Sequence, residues 1–156
     1  MPSDKKLTEI SVPKERAVFW MDRFGHWYNE GGRFEHKKII AYFNASIRKD
    51  AQGYFVDQIR GDLREKVYFN YEDTPLFVVD ARLVGEQIQL ILNTRETLPL
   101  AADSLFIHQD NLYMQRDDER IKFSDRVLLK LADRVEYDGN QYYITTDTGR
   151  SPIPEK

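Results

Sequence analysis

Residues 21–32 read MDRFGHWYNEGG, and a similar shape returns later as IHQDNLYMQRDD, residues 107–118. Each stretch places a tight turn between two short runs whose side chains alternate in character, which is typical of a β-hairpin. The two stretches therefore predict the same hairpin twice, with different side chains around its turn.

A helix is predicted after each hairpin. Its apolar side chains recur at relative positions 0, 1, 4 and 8, which lie on one helical face. In the first copy these are Ile39, Ile40, Phe43 and Ile47, and in the second they are Val127, Leu128, Leu131 and Val135. The strand after each helix also aligns, residues 54–56 with residues 142–144, at a shift of about 88 residues. We therefore predict an internal duplication of two related modules packed on each other.

The predicted fold class is α+β, and each module has a hairpin, one helix and further antiparallel strands. Residues 1–16 are predicted to form a polar N-terminal arm, residues 17–74 an N-terminal ββαββ module, and residues 75–156 a C-terminal β-rich module with one helix. The two helices are predicted over residues 33–50 and 122–139. The last six residues, SPIPEK, are predicted to be a frayed end.

The composition bounds the class of protein. Hydrophobic residues make up 41% of the chain and charged residues 31%, which is typical of a globular protein. The net charge of −3 gives no basic field for nucleic acid, and the lack of cysteine excludes disulfides and thiolate zinc sites. The N-terminus has no signal-peptide pattern, and no apolar run is long enough to span a membrane. We therefore predict a cytoplasmic protein with neither nucleic acid nor membrane as partner.

No catalytic or metal-binding residues are predicted. The three histidines lack the i, i+4 spacing of two metal ligands on a helix, and no cofactor is implied. The G-x-S-x-G motif of acyl-transfer nucleophiles does not occur. Glu72 and Asp73 could do acid–base work, but with Thr74 and Pro75 they are more simply a turn. The sequence therefore favours a non-enzymatic protein.

Two features near the first hairpin could serve a ligand. Gly31, Gly32 and Arg33 precede the first helix and weakly resemble the glycine-rich start of a phosphate-binding helix, although a flexible turn is the simpler interpretation. Trp27 and Tyr28 are neighbours in one strand, so they point to opposite faces and one of them is expected to be the more exposed.

Three segments carry a family resemblance: MDRFGHWYNEGGRFEHKKIIAYFNASIRKDAQGYFV, KVYFNYEDTPLFVV and LILNT. They resemble the D-G-x-W-[FY]-x-x-G pattern, the helix ending near D-G-x-Y, the V-E-D-x-P-F element and the T-N segment of the bacterial domain-of-unknown-function family 1285. The chain departs from that pattern at Arg23-Phe24-Gly25, which follows Asp22, and at Asn93-Thr94, which reverses the order Thr-Asn.

The resemblance implies a duplicated core, a C-terminal half similar in outline to pleckstrin-homology-like folds, a nucleotide-like ligand at the domain interface and a signalling role. We therefore predict a ligand-sensing or regulatory protein that binds a nucleotide-like or other anionic small molecule between its two modules. The predicted ligand-binding residues are Arg23, His26, Trp27, Arg33, Glu72, Asp73, Asn93 and Thr94. In this hypothesis the two arginines meet anionic groups, Trp27 stacks on a ring, and the carboxylates accept hydrogen bonds from a base or a ribose.

Two other functions remain open. The chain could be a protein–protein interaction module without a small ligand, using an aromatic surface or a strand edge for a protein partner or for a homodimer. It could also be a hydrolase-type enzyme. A pocket lined by Arg23 and Trp27 would favour ligand binding, an exposed flat apolar patch would favour protein interaction, and a cleft carboxylate with a raised pKa would favour the hydrolase.

Overall fold

The structure is a computed structural model and describes residues 8–156. The chain divides into two compact units, Met1–Pro75 and Leu76–Lys156. Within the predicted N-terminal arm, Thr8–Val12 is a strand and Lys14–Arg16 is a 3-10 turn, while residues 1–7 lie outside the described residues.

The described part of the first unit has eight strands and one helix. They are β1 (Thr8–Val12), β2 (Phe19–Met21), β3 (Trp27–Asn29), β4 (Gly32–Arg33), α1 (Lys37–Ala45), β5 (Ile47–Asp50), β6 (Gly53–Arg60), β7 (Leu63–Tyr68) and β8 (Asn70–Tyr71). One sheet has the order β1-β7-β6-β5 and the other β4-β3-β2-β8. Strand β1 pairs with β7 in parallel and β2 with β8 in parallel, and the other neighbours are antiparallel.

The second unit has nine strands and one helix. They are β9 (Phe77–Val84), β10 (Gln87–Leu92), β11 (Thr97–Pro99), β12 (Leu105–His108), β13 (Asn111–Arg116), β14 (Glu119–Phe123), α2 (Asp125–Leu131), β15 (Val135–Tyr137), β16 (Tyr142–Thr146) and β17 (Gly149–Ile153). A six-stranded sheet has the order β11-β10-β9-β14-β13-β12, and a three-stranded sheet the order β15-β16-β17. The predicted α+β class is confirmed.

The same order of elements occurs in both units. Three short strands lead into a helix, and three more strands follow it, as β2-β3-β4-α1-β5-β6-β7 and as β12-β13-β14-α2-β15-β16-β17. The register after the helix also agrees, because Ile47 pairs with Val56 and Val135 pairs with Ile144, at the same shift of about 88 residues. This agreement in order and register supports the predicted duplication.

Both helices are shorter than predicted. After α1 the Ser46 hydroxyl donates to the Tyr42 carbonyl at 2.7 Å, and the chain then leaves the helix so that Ile47 is buried through β5 instead. Likewise α2 ends at Leu131, and Val135 begins β15. Ile47 and Val135, the last apolar residues of the two predicted helical faces, therefore lie in strands.

The apolar face of α1 is also less buried than predicted. Ile39 is 47% exposed, and no α1 residue is fully buried. The helix packs mainly through Phe43, whose ring meets those of Phe19 at 4.9 Å and Phe34 at 5.1 Å between centroids.

The C-terminal residues are ordered by backbone pairing, so the predicted frayed end is wrong. Ile153 is buried at 3% exposure in β17. The Ile107 N–H donates to the Pro154 carbonyl, and the Lys156 N–H donates to the Ile107 carbonyl, both at 2.8 Å. These bonds hold the end of the chain along β12.

The turns after β5 and β15 use the same device in both units. The Asp50 carboxylate accepts from the Gln52 N–H at 2.9 Å, and the Asp138 carboxylate accepts from the Asn140 N–H at 2.9 Å. An aspartate that caps a turn in this way fixes the reversal between two strands.

Among residues 8–156, neither helix is long and apolar enough to cross a bilayer.

Asp50 has a second hydrogen bond that predicts an alkaline pH dependence. The hydroxyl of the buried Tyr68 donates to its Oδ2 at 2.6 Å, and this bond raises the pKa of Tyr68 to about 12. A phenol whose pKa rises on folding stabilises the fold below its unfolded pKa of about 10, and that stabilisation is lost as the pH rises through about 12. Urea unfolding of wild type and Tyr68→Phe should therefore give a stability difference that shrinks between about pH 9 and about pH 12. A constant difference over that range would contradict the assignment, and Tyr71→Phe controls for the loss of one exposed hydroxyl.

Candidate functional site

The first hairpin sorts its aromatic side chains between two faces of a sheet. Strands β2 and β3 pair Trp20 with Tyr28 and Met21 with Trp27. Because side chains alternate along a strand, the two pairs lie on opposite faces. Met21 is 0% and Trp27 1% exposed, whereas Trp20 is 40% exposed. The inner face therefore closes the core, and the outer face presents Trp20 with Tyr28.

Trp27 is a core residue. Its ring lies 4.9 Å from Phe69 and 5.4 Å from Phe43 between centroids, and its Nε1–H donates to Asn44 Oδ1 at 2.8 Å. A side chain enclosed in this way has no free ring face, so the stacking role predicted for Trp27 does not fit its position. The exposed indole of this hairpin belongs to Trp20, which is not among the predicted ligand-binding residues.

The outer face carries a row of four side chains across neighbouring strands. Trp20 pairs with Asn70 of β8 on one side and with Tyr28 on the other, and Tyr28 pairs with Arg33 of β4. The rings of Trp20 and Tyr28 are nearly parallel, with an interplanar angle of 8° and centroids 6.2 Å apart. The result is an aromatic surface with an exposed guanidinium at its edge, and we call these four residues the outer row.

Gly32 and Arg33 form β4 and do not begin the helix. They pair with Asn29 and Tyr28, and α1 starts only at Lys37. The weak resemblance of Gly31-Gly32-Arg33 to a phosphate-binding helix start therefore does not hold, because Gly32 and Arg33 lie in a strand. Gly31 lies in a turn, which was the simpler interpretation. Arg33 instead belongs to the outer row.

Asp22 organises the turn of the first hairpin. Its Oδ1 accepts from the Phe24 N–H at 2.8 Å and from the His26 N–H at 2.9 Å, and its Oδ2 accepts from the Tyr28 hydroxyl at 2.9 Å. Gly25 completes the turn with a φ of +83°, which favours glycine. Sequence reasoning missed this role, although an aspartate at the start of a glycine-containing turn is a known signal.

The hydrogen bonds keep Asp22 in its charged form. Burial alone would raise the pKa of this carboxyl, but bonds from the His26 N–H, the Tyr28 hydroxyl and the Phe24 N–H outweigh burial and lower it. The same bond to Asp22 raises the pKa of Tyr28. The buried Asp22 carboxylate therefore stabilises the turn. It also holds the Tyr28 hydroxyl, and this fixes the position of one ring of the outer row.

Three predicted ligand-binding residues surround this turn. The Arg23 N–H donates to Glu72 Oε2 at 3.1 Å, and the Arg23 guanidinium lies 5.0 Å from the centre of the Phe24 ring. The His26 Nδ1 lies 3.5 Å from Asp22 Oδ2, and its side chain is 40% exposed. The structure thus brings Arg23, His26 and Glu72 together at one end of the hairpin.

Three other predicted ligand-binding residues, Asp73, Asn93 and Thr94, lie outside this turn. Asp73 is half-buried in the segment after β8. Asn93 Oδ1 accepts from the Phe77 N–H at 3.0 Å, and the Thr94 hydroxyl donates to Glu96 Oε1 at 3.1 Å. Asn93 and Thr94 belong to the second compact unit, so a site that they share with the first hairpin stays a prediction.

Hydrogen bonds shift the pKa values of four carboxyls. Those of Asp22, Asp50, Asp80 and Asp138 are all lowered. In each case hydrogen bonds to the charged form lower the pKa. Within residues 8–156, no group of three or more histidine, aspartate or glutamate side chains is placed to hold a metal ion.

Comparison with known proteins gives a fold relationship. No family model matches the sequence, and no curated protein matches it. A crystal structure of a DUF1285 family protein from Silicibacter pomeroyi DSS-3 superposes with a TM-score of 0.65 at 13% identity, over 94% of this chain and 84% of that one. A DUF1285 family protein from Shewanella baltica OS155 gives a TM-score of 0.55 at 16% identity, over 77% of this chain and 94% of that one. The chain therefore resembles the DUF1285 family in fold, as the three sequence segments indicated.

Proposed function

We propose that this chain is a cytoplasmic ligand-binding protein with a regulatory role, and that its outer row takes an anionic small molecule with a planar ring. The observation that carries the proposal is the nearly parallel pair of the exposed Trp20 and the half-buried Tyr28 next to Arg33. A nucleotide has both of the groups that such a surface can recognise.

The aromatic pair supplies the contact for a ring. Trp20 is 40% exposed, and Tyr28 is held by its hydrogen bond to Asp22. Stacking of a base on an exposed aromatic side chain stabilises a complex by about 1–3 kcal/mol, and it tolerates different bases because each has a π-face. Since the Tyr28 hydroxyl is already bonded, the pair does not have to rearrange to accept a ring.

Arg33 supplies the contact for the anion. It lies two strands from Trp20 in the same row, which corresponds to about 10 Å between backbones. A guanidinium pairs with a phosphate through two parallel N–H bonds, and such charge-assisted bonds are roughly twice as strong as neutral ones. Arg23 and His26 add cationic or donor groups at the end of the hairpin. The Asp22 carboxylate already accepts hydrogen bonds from backbone N–H groups of the turn.

Glu72 completes the proposal. Glu72 is exposed after β8 and could accept a hydrogen bond from a ribose hydroxyl, as its carboxylate already does from the Arg23 N–H. Asn93 and Thr94 belong to the other compact unit and are not part of this proposal. The outer row carries the proposal without them.

The test separates the ring from the charge. We expect AMP to bind more tightly than adenosine, which has no charge, and than inorganic phosphate, which has no ring. Calorimetric titration should show that Trp20→Ala and Arg33→Ala each weaken AMP binding about tenfold or more, consistent with the loss of about 1.4 kcal/mol or more. Tyr42→Ala and Lys37→Ala, which change an exposed ring and an exposed cation outside the outer row, should leave the affinity unchanged.

Two results would contradict the proposal. One is AMP affinity that is equal in wild type, Trp20→Ala and Arg33→Ala. The other is a thermal-shift screen in which no nucleotide, cyclic dinucleotide or small anion moves Tm, since saturation at a hundred times Kd adds about 2.7 kcal/mol of stability. For a chain of this size that would raise Tm by roughly 5–10 °C.

Exposed apolar side chains on α1 support a second candidate function, self-association. Ile39 is 47% and Tyr42 49% exposed, and both line a cleft with Gln58 and Arg60 of β6. A homodimer that covers this face should dissociate when Ile39→Asp and Tyr42→Asp are combined. Sedimentation of the wild type as a monomer at all concentrations would rule this candidate out.

A further inference from the structure

The second unit contains a cavity that the outer row does not involve. Its volume is about 650 Å³, which falls within the range of small-molecule sites in proteins. The walls come from the β12–β13 hairpin, from α2 and the residues after it, and from β15 to β17. Leu112, Leu128, Val135 and Ile153 give it an apolar lining.

The first unit is packed differently, with rings between its hairpin, helix and sheet. Phe19, Trp27, Phe43 and Phe69 meet there with centroids 4.9 to 6.4 Å apart. Two clefts of the first unit are smaller, at about 370 and 320 Å³. In the second unit, Leu112 and Leu128 line the cavity, and such aliphatic side chains occupy less volume than rings.

The polar groups of the cavity select for positive charge. Asp110 and Glu155 line it, and among its lining residues there is no lysine, arginine or histidine. Tyr137 and Tyr142 also line it, with ring centroids 4.6 Å apart and exposures of 56% and 38%. Ring faces attract organic cations through their quadrupole, and the two carboxylates of the lining add to that attraction.

We propose that this cavity binds an organic ammonium ion with an apolar body. The body lies against Leu112, Leu128 and Val135, and the ammonium group lies at the opening between the tyrosine pair and the two carboxylates. The ligand differs in charge from the one proposed for the outer row, so the two sites can be tested independently in the full-length chain.

A charge series at constant chain length tests the proposal. At neutral pH, hexylammonium carries one positive charge, hexanol is uncharged and hexanoate carries one negative charge. By calorimetry or ligand-observed NMR we expect hexylammonium to bind at least about fivefold more tightly than hexanol, and hexanoate more weakly than either. The double variant Asp110→Asn, Glu155→Gln should bring hexylammonium to within about twofold of hexanol. Asp147→Asn, an exposed aspartate of the same unit outside the cavity, should leave the preference intact.

A filling variant locates the site. Ala132 lines the cavity and is exposed, so Ala132→Trp should occupy the opening without disturbing the core and should weaken hexylammonium binding tenfold or more. Leu129→Trp adds the same ring at an 80% exposed position outside the cavity and should have no effect. The proposal is overturned if none of the three probes binds at millimolar concentration, if hexanoate binds as well as hexylammonium, or if Ala132→Trp binds like wild type.

Discussion

Replacing Trp27 by alanine should lower the free energy of unfolding by about 3–5 kcal/mol, the usual cost of removing a large aromatic side chain from a core. Trp27 is 1% exposed, and its ring contacts Phe43 and Phe69. The substitution also leaves Asn44 Oδ1 without the indole N–H that it accepts at 2.8 Å. Urea unfolding monitored by circular dichroism measures the loss.

Trp20→Ala is the matched control, because it removes the same side chain from the other face of the hairpin. Trp20 is 40% exposed, so we expect a loss of less than about 1 kcal/mol, mainly its contact with Tyr28. Equal losses in the two variants would show that the hairpin does not sort its two indoles between core and surface.

Asp22→Ala should cost about 2–4 kcal/mol, because it removes an acceptor that serves two backbone N–H groups and one hydroxyl. The turn around Gly25 would then lose its internal bonds, and the Tyr28 hydroxyl would lose its partner. Asp22→Asn keeps one oxygen acceptor and should cost less. Denaturant unfolding of the two variants beside wild type measures both effects.

The pH dependence identifies the charged carboxylate as the source of that stability. The pKa of Asp22 is lowered on folding, so its contribution is present above the unfolded value of about 3.8 and is lost as the pH falls through the folded value. The stability difference between wild type and Asp22→Ala should therefore stay nearly constant from about pH 7 to about pH 5 and shrink as the pH falls below about 4. Glu30→Ala, an exposed carboxylate of the same hairpin, serves as the control. A difference that does not change with pH would mean that the turn does not depend on the charge of Asp22.

Periodicity predicted the order of elements but not where the helices end. The positions Ile47 and Val135 continue the helical spacing, yet each lies in a strand. A residue can face the core from a helix or from the following strand at nearly the same place, so apolar spacing does not distinguish the two. The pairing of Ile47 with Val56, which depends on residues farther along the chain, decides the outcome.

Alternation predicted that Trp27 and Tyr28 face opposite sides, and the structure confirms it. It did not predict which side is the core, because a period of two is the same from either face. The core side is fixed by Phe43 and Phe69, which lie elsewhere in the sequence. The candidate site consequently contains Trp20 in place of the predicted Trp27. The other predicted residues near this hairpin are Arg23, His26, Arg33 and Glu72.

The most direct test of the outer row is to follow the two indole N–H signals by NMR during titration with AMP, since the chain has two tryptophans. We predict that the Trp20 signal shifts with AMP concentration, that Trp20→Phe removes that signal, and that the signal of Trp27, bonded to Asn44 in the core, stays nearly constant. A Trp20 signal that does not move at saturating AMP, or a shift confined to Trp27, would contradict the account.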